Sequence, residues 1–212
     1  MNPSSRRSAA RALACAAIAL VPLTALATPA SAEAFDITFD CQADAPIVGP
    51  QQTTLTQGTD ITAPATVAPG GAFDVVIDPT ATTVPANVNG FTVKQIKDVA
   101  LQIPIPANST FVSADLTGGS GLGSEPSIDV EGSVATLSFA GPVAGGAEFE
   151  LPTVTAHLTA GESGTIETKL GGTSYEDPGL TLTTVVNQLV DIEAPTACFP
   201  DPSPVFTTTT IG

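Results

Sequence analysis

Residues 34–41 read Ala-Phe-Asp-Ile-Thr-Phe-Asp-Cys, and their period of two decides the fold. Phe35, Ile37, Phe39 and Cys41 fall on one side, with Asp36, Thr38 and Asp40 on the other, as a half-buried β-strand requires. The same alternation returns along the chain. It appears in Phe73, Val75 and Ile77, in Val99, Leu101, Ile103 and Ile105, and in Val112, Ala114 and Leu116. Ala135, Leu137 and Phe139 repeat it, as do Val154, Ala156 and Leu158, then Ile166, Thr168 and Leu170. A longer run over 180–192 is rich in β-branched residues, and 205–211 closes the chain.

Glycine, proline and asparagine clusters separate these runs, at 68–71, 87–90, 118–121, 145–146 and 177–179. Short strands punctuated so often predict an all-β, antiparallel Ig-like β-sandwich. Nineteen prolines and nineteen glycines would break helices in any case. Pro104 and Pro106 predict that their strand ends there or lies at an edge. The phrase Val67-Ala68-Pro69-Gly70-Gly71-Ala72-Phe73 returns as Val143-Ala144-Gly145-Gly146-Ala147-Glu148-Phe149. We read it as one solution used twice, a glycine turn feeding a strand anchored by its first large apolar residue. One domain is expected, with a two-lobed sandwich as the alternative.

Residues 1–32 have the form of an export signal. Arg6, Arg7 and Arg11 precede an apolar run at 12–27, and Ala30-Ser31-Ala32 supplies a small-x-small cleavage site. The predicted division is a signal peptide, 1–32, and a β-sandwich domain, 33–212. The location expected is extracellular, with association to the cell envelope as an option. Residues 33–212 hold three lysines against 21 acidic residues, a balance of −18 with no arginine. Such a chain repels nucleic acid and anionic membrane surfaces. No second apolar stretch reaches membrane-spanning length.

Two cysteines, Cys41 and Cys198, stand near the ends of that domain. In an oxidising compartment the simplest reading is that they pair. Neither has a second cysteine or a histidine at ligand spacing, which disfavours two metal-binding thiols.

Several of these phrases resemble known ones. "ATVAPGGAFDVVI" (65–77), "VALQIPIPANSTFVSADLTGG" (99–119) and "VAGGAEFELPTVTAHLTAGESGTI" (143–166) resemble bacterial extracellular Ig-like repeats. The wider layout is similar to small secreted actinobacterial proteins of uncharacterised function, some labelled "cyclase" without known chemistry. That layout comprises "FDC", "PATVAPG", "PIPANST", "GTSYEDPGL" and "PTACFPDPSP" before a threonine-rich end. The resemblance spans 34–212 and implies a fold and an address, with no catalytic residue to carry over.

Catalytic parts are sparse. His157, the only histidine, is expected to face solvent on the strand face opposite Val154, Ala156 and Leu158. Asp36 and Asp40 would lie about 13 Å apart along a strand, beyond the separation glycosidase pairs use. Glu148 and Glu150 read as solvated strand acids. Residues 118–124, Gly-Gly-Ser-Gly-Leu-Gly-Ser, read as a flexible turn without the lysine of a phosphate loop. Glu176 and Asp177, in a turn ending Pro178-Gly179, are the calcium candidates. With no tryptophan and Tyr175 as the sole tyrosine, an aromatic sugar platform is poorly supplied. Asn108-Ser109-Thr110 spells a glycosylation sequon but is read as a turn, and 207–210 could equally accept O-glycans or form a terminal strand.

The reading is a non-enzymatic binding or structural surface protein with no cofactor and an unidentified protein or envelope partner. One alternative is a carrier of an apolar envelope lipid held between the sheets, and another is an enzyme built on His157. The exported protein should gain the mass of two protons on reduction; free, alkylatable thiols in the native form would refute the pairing.

Overall fold

The computed structural model describes residues 33–46, 49–187 and 189–212. The predicted signal peptide, 1–32, lies outside them. The described residues form seventeen strands and no helix. In chain order the first nine are β1 (Glu33–Ala45), β2 (Gly49–Thr62), β3 (Thr66–Val67), β4 (Ala72–Pro79), β5 (Thr82–Thr83), β6 (Asn87–Val88), β7 (Phe91–Pro104), β8 (Ser109–Thr117) and β9 (Ser127–Glu131). The remainder are β10 (Val134–Phe139), β11 (Val143–Ala144), β12 (Glu148–Phe149), β13 (Thr153–Ala160), β14 (Gly164–Thr168), β15 (Leu180–Asn187), β16 (Asp191–Pro200) and β17 (Thr207–Ile211).

The main sheet runs β8-β13-β4-β2-β1-β16-β15-β7-β10-β9, with β6 and β11 also paired to β7. All its pairings are antiparallel. Its two ends turn their apolar faces toward each other. Val75 and Ile77 of β4 and Val154 of β13 share a cluster with Ile103 of β7 and Ala135 and Leu137 of β10. The result lies between a sandwich and a barrel. A small sheet, β14-β17-β3, covers one end and contributes Ile166 and Ile211 to that cluster. The pair β5–β12 lies along another side.

β1 alternates as its sequence demands, with Ile37, Phe39 and Cys41 buried and Asp36 exposed. Cys41 stands directly opposite Cys198 of β16, and their sulfurs are bonded across 157 residues of sequence. Their Cα atoms are 4.0 Å apart, the close approach of a non-hydrogen-bonded antiparallel pair. Gly179 N–H accordingly donates to the Cys198 carbonyl from the β15 side, at 2.9 Å. Three residues earlier the backbone of β16 points the opposite way, toward β1, and there the residue is Pro195. Proline has no N–H to give. The β1–β16 ladder therefore runs from Phe39↔Pro200 to Ala43↔Thr196 and stops. Beyond that point β16 continues only with β15, and β1 only with β2.

The repeated glycine phrase forms the same turn twice. Gly71 N–H donates to Ala68 O at 2.8 Å and Ala147 N–H to Ala144 O at 3.1 Å. Gly70 (φ 65°) and Gly146 (φ 78°) occupy equivalent left-handed positions, where a side chain would be strained. Phe73 and Phe149 then anchor two different apolar clusters.

β7 ends at Pro104, as its prolines predict, and lies inside the sheet, between β15 and β10. Two expectations are corrected. The apolar run 180–192 is two strands, because the chain reverses between Asn187 and Asp191. Val112 does not share a buried face with Ala114 and Leu116. His157 pairs with Ser113 and Leu158 with Phe111, so Val112 is the unmatched residue of a bulge. That extra residue resets the alternation, and Val112 stands 63 % exposed while Phe111 packs inward. Val112→Ser should therefore change stability by less than about 0.5 kcal/mol. Ile61→Ala, which truncates a fully buried side chain, should cost about 2–5 kcal/mol in denaturant melts.

Candidate functional site

Between the two apolar clusters lies a cavity of about 550 Å³. Its walls are the inward faces of β1, β2, β7, β10, β15 and β16, with the β5–β12 pair closing one side. Along β1 the lining runs from Ile37 to Ala45, a path of about 27 Å at the usual strand rise. The site is thus long and narrow. Phe39, Leu101, Leu137, Phe139, Leu180 and Leu182 dominate its deep part. Toward the other end stand Phe91, Val186, Ile192, Ala194, Leu189 and Val190.

The polar groups of the wall are only partly paired: Gln51, Gln57, Thr184 and Thr196 make hydrogen bonds, whereas Thr59 Oγ1 is buried without a partner. Thr184 and Thr196 hydroxyls bond each other at 2.9 Å, and Thr196 also donates to Ala194 O at 3.1 Å. Proteins ordinarily fill their interiors to crystal density, so a space of this size within a core is a candidate ligand site.

On one side of the cavity the backbones of β1 and β16 are unpaired beyond Ala43↔Thr196. On a second side, the edge of β2 from Gly49 to Gly58 has no strand partner but β1, since β4 pairs only with residues Thr59 to Thr62. Asn89 bridges that gap with a hydrogen bond to Gln52 O at 3.1 Å. Gln57 similarly reaches Thr80 O at 2.7 Å.

His157 takes no part in the cavity. It sits on the outer face of β13, as its strand phase requires, but it is not solitary there. Nδ1 lies 2.7 Å from Asp74 Oδ1 on β4, and Nε2 lies 3.0 Å from Asp115 Oδ2 on β8. Carboxylates only accept, so satisfying both requires a ring protonated on both nitrogens. The bond to Asp115, then that to Asp74, raises the His157 pKa above its ordinary 6.5, against a smaller opposing effect of burial. The arrangement is a three-strand ionic clamp, and it leaves neither ring nitrogen free.

The other candidates are held in local structure. Glu176 is exposed, and Asp177 accepts from the Thr173 hydroxyl at 2.8 Å. The Ser174 hydroxyl accepts from the backbone N–H groups of both residues at 3.2 Å. Among the described residues no group of three or more His, Cys, Asp or Glu side chains converges as a metal site. Tyr175 packs edge-on against Phe199 at 5.1 Å. Asn108 (φ 61°) donates to Thr165 O at 3.0 Å. Thr209 is buried and donates to Pro64 O at 2.7 Å, while Thr208 and Thr210 face outward.

Residues 118–124 are not a free turn. Ser120 exchanges two backbone bonds with Glu150, both 2.9 Å, and Leu122 is buried in the second cluster. Cβ atoms at Gly121 and Gly123 would come within 2.7 and 2.3 Å of neighbouring carbonyl oxygens, so glycine is required for this close docking. Asp36 and Asp40 stay on the outer side of β1, and Glu148 and Glu150 flank the inward Phe149.

Among the described residues no helix is long and apolar enough to cross a membrane. Neither the family models nor the curated proteins give a match to this chain. Among solved structures it is similar to a protein from Corynebacterium diphtheriae described as "Putative membrane anchored protein", with a TM-score of 0.58 and 17% identity. The match covers 85% of this chain and 38% of that one, so the chain spans well under half of its neighbour's length. At that identity the likeness is one of fold.

The raised pKa of His157 sets the sign of a pH effect. Its clamp contributes stability fully below pH 6.5, and the contribution is lost as pH rises through the higher folded-state value. His157→Gln should therefore lower the melting temperature most on the acid side of 6.5 and least on the alkaline side. Proton NMR titration of the sole imidazole should give a midpoint above 6.5; a midpoint at or below it would contradict the clamp.

Proposed function

We propose that this is an extracellular or cell-envelope binding protein that holds an elongated apolar ligand, such as the hydrocarbon chain of a lipid, in its interior. The observation that carries the reading is the cavity of about 550 Å³, walled mainly by aliphatic and phenylalanine side chains. Burying a chain there gains about 0.8 kcal/mol for each methylene removed from water. No catalytic role is assigned, and the function is binding.

The address is supported by the Cys41–Cys198 bridge, which suits an oxidising compartment, and by the described membrane anchorage of the structural neighbour. That neighbour also favours a second reading, a structural or partner-binding component of the cell surface. The two differ in what the cavity does.

A homologous series of straight-chain fatty acids, competed against a fluorescent chain, separates them. Affinity should rise about fourfold per added methylene and then level off once the cavity is full. Ala194→Phe, which intrudes into the lining, should move that plateau to shorter chains. Binding that ignores chain length would leave the surface-component reading.

A further inference from the structure

We infer that Leu189 and Val190, between β15 and β16, form a lip by which the cavity meets an uncharged lipid surface and takes up its ligand directly. This rests on the cavity reading above and adds the partner and the route.

Single exposed apolar residues are ordinary on protein surfaces. These two differ in their placement. Leu189 is 102 % and Val190 65 % exposed, and both also line the cavity. The apolar lining therefore reaches from the core to these two exposed residues. Phe91 and Val186 carry it inward, and Pro195 keeps β16 from closing onto β1 beside it. A chain arriving through water would expose its whole length before binding; contact at this lip removes that stage.

Charge selects the surface. Asp191, immediately after the lip, is ion-paired with Lys94 and accepts from Asn187 Nδ2 at 3.0 Å. The lip thus stands beside a charge-neutralised base. The rest of the domain carries a balance of −18, which disfavours both an anionic membrane and a second copy of this chain. An uncharged or zwitterionic lipid surface remains.

The test uses zwitterionic phosphatidylcholine vesicles loaded with a fluorescent fatty acid, mixed with the exported protein. Uptake by the wild type should accelerate in proportion to vesicle concentration, the mark of transfer on contact. The double variant Leu189→Ser, Val190→Ser should slow vesicle uptake at least about tenfold more than it weakens equilibrium binding of the same probe without vesicles. Both sites are exposed, so an unchanged melting temperature verifies the fold. An uptake rate independent of vesicle concentration overturns the lip while leaving the cavity reading intact. Equal losses of rate and affinity in the double variant do the same, as does faster uptake from anionic vesicles. Failure of the wild type to bind the probe at all overturns the cavity reading and this inference together.

Discussion

The structure depends on one short ladder, five residue pairs long, that joins the first strand to the last strand of the main sheet. Residues 39–43 belong to a hairpin formed with β2, and 196–200 to a hairpin formed with β15. Without their pairing, the β8-β13-β4-β2-β1 half and the β16-β15-β7-β10-β9 half would share no hydrogen-bonded edge in the main sheet. The Cys41–Cys198 bond pins this join at its centre. By chain-entropy arithmetic, a link across 157 residues can stabilise the fold by up to about 5 kcal/mol. Net stabilities of domains are about 5–15 kcal/mol, so the bridge counts for a large share.

The same ladder creates the site. Its lower part is closed and cross-linked, so the two halves of the sheet are held face to face around a common interior. Its upper part is cut off by Pro195, so the two hairpins continue with no partner between them. A strand residue with an N–H at 195 could have extended the zipper by another pair. The missing donor ends the pairing of the two hairpins at this point.

The outer surface uses charge more sparingly than the composition suggests. Lys94 and Lys97 reach across β15 to Asp191 and Glu193 on β16, the latter at 2.8 Å. His157 ties β4, β13 and β8 in the same manner. These exposed pairs contribute little each. They do fall on outer strand faces where cross-strand neighbours are close, and they align the ladders beneath. Most of the remaining acids are exposed to solvent.

The amino-acid sequence determined the strand class, the phase of β1, β4, β10 and β13, the recurring glycine turn and the pair of cysteines. Each of these is a local matter: a period of two, a left-handed glycine, an isolated thiol. β2 escaped the reading because its inward positions are threonine and glutamine as well as leucine, so hydrophobicity does not trace its burial. Val112 was misplaced because a bulge is specified by its neighbour strand, and the hairpin at 187–191 because its end is itself apolar. The pairing of His157 with Asp74 and Asp115, 83 and 42 residues away, has no local signature. The cavity is the extreme case. Leu189, Val190, Ala194 and Pro195 look like any β-rich run, and only the curling of the sheet decides whether apolar faces meet and fill or stand apart and leave room. Packing is a property of distant segments brought together, and that is why the tertiary structure alone could place a cavity there.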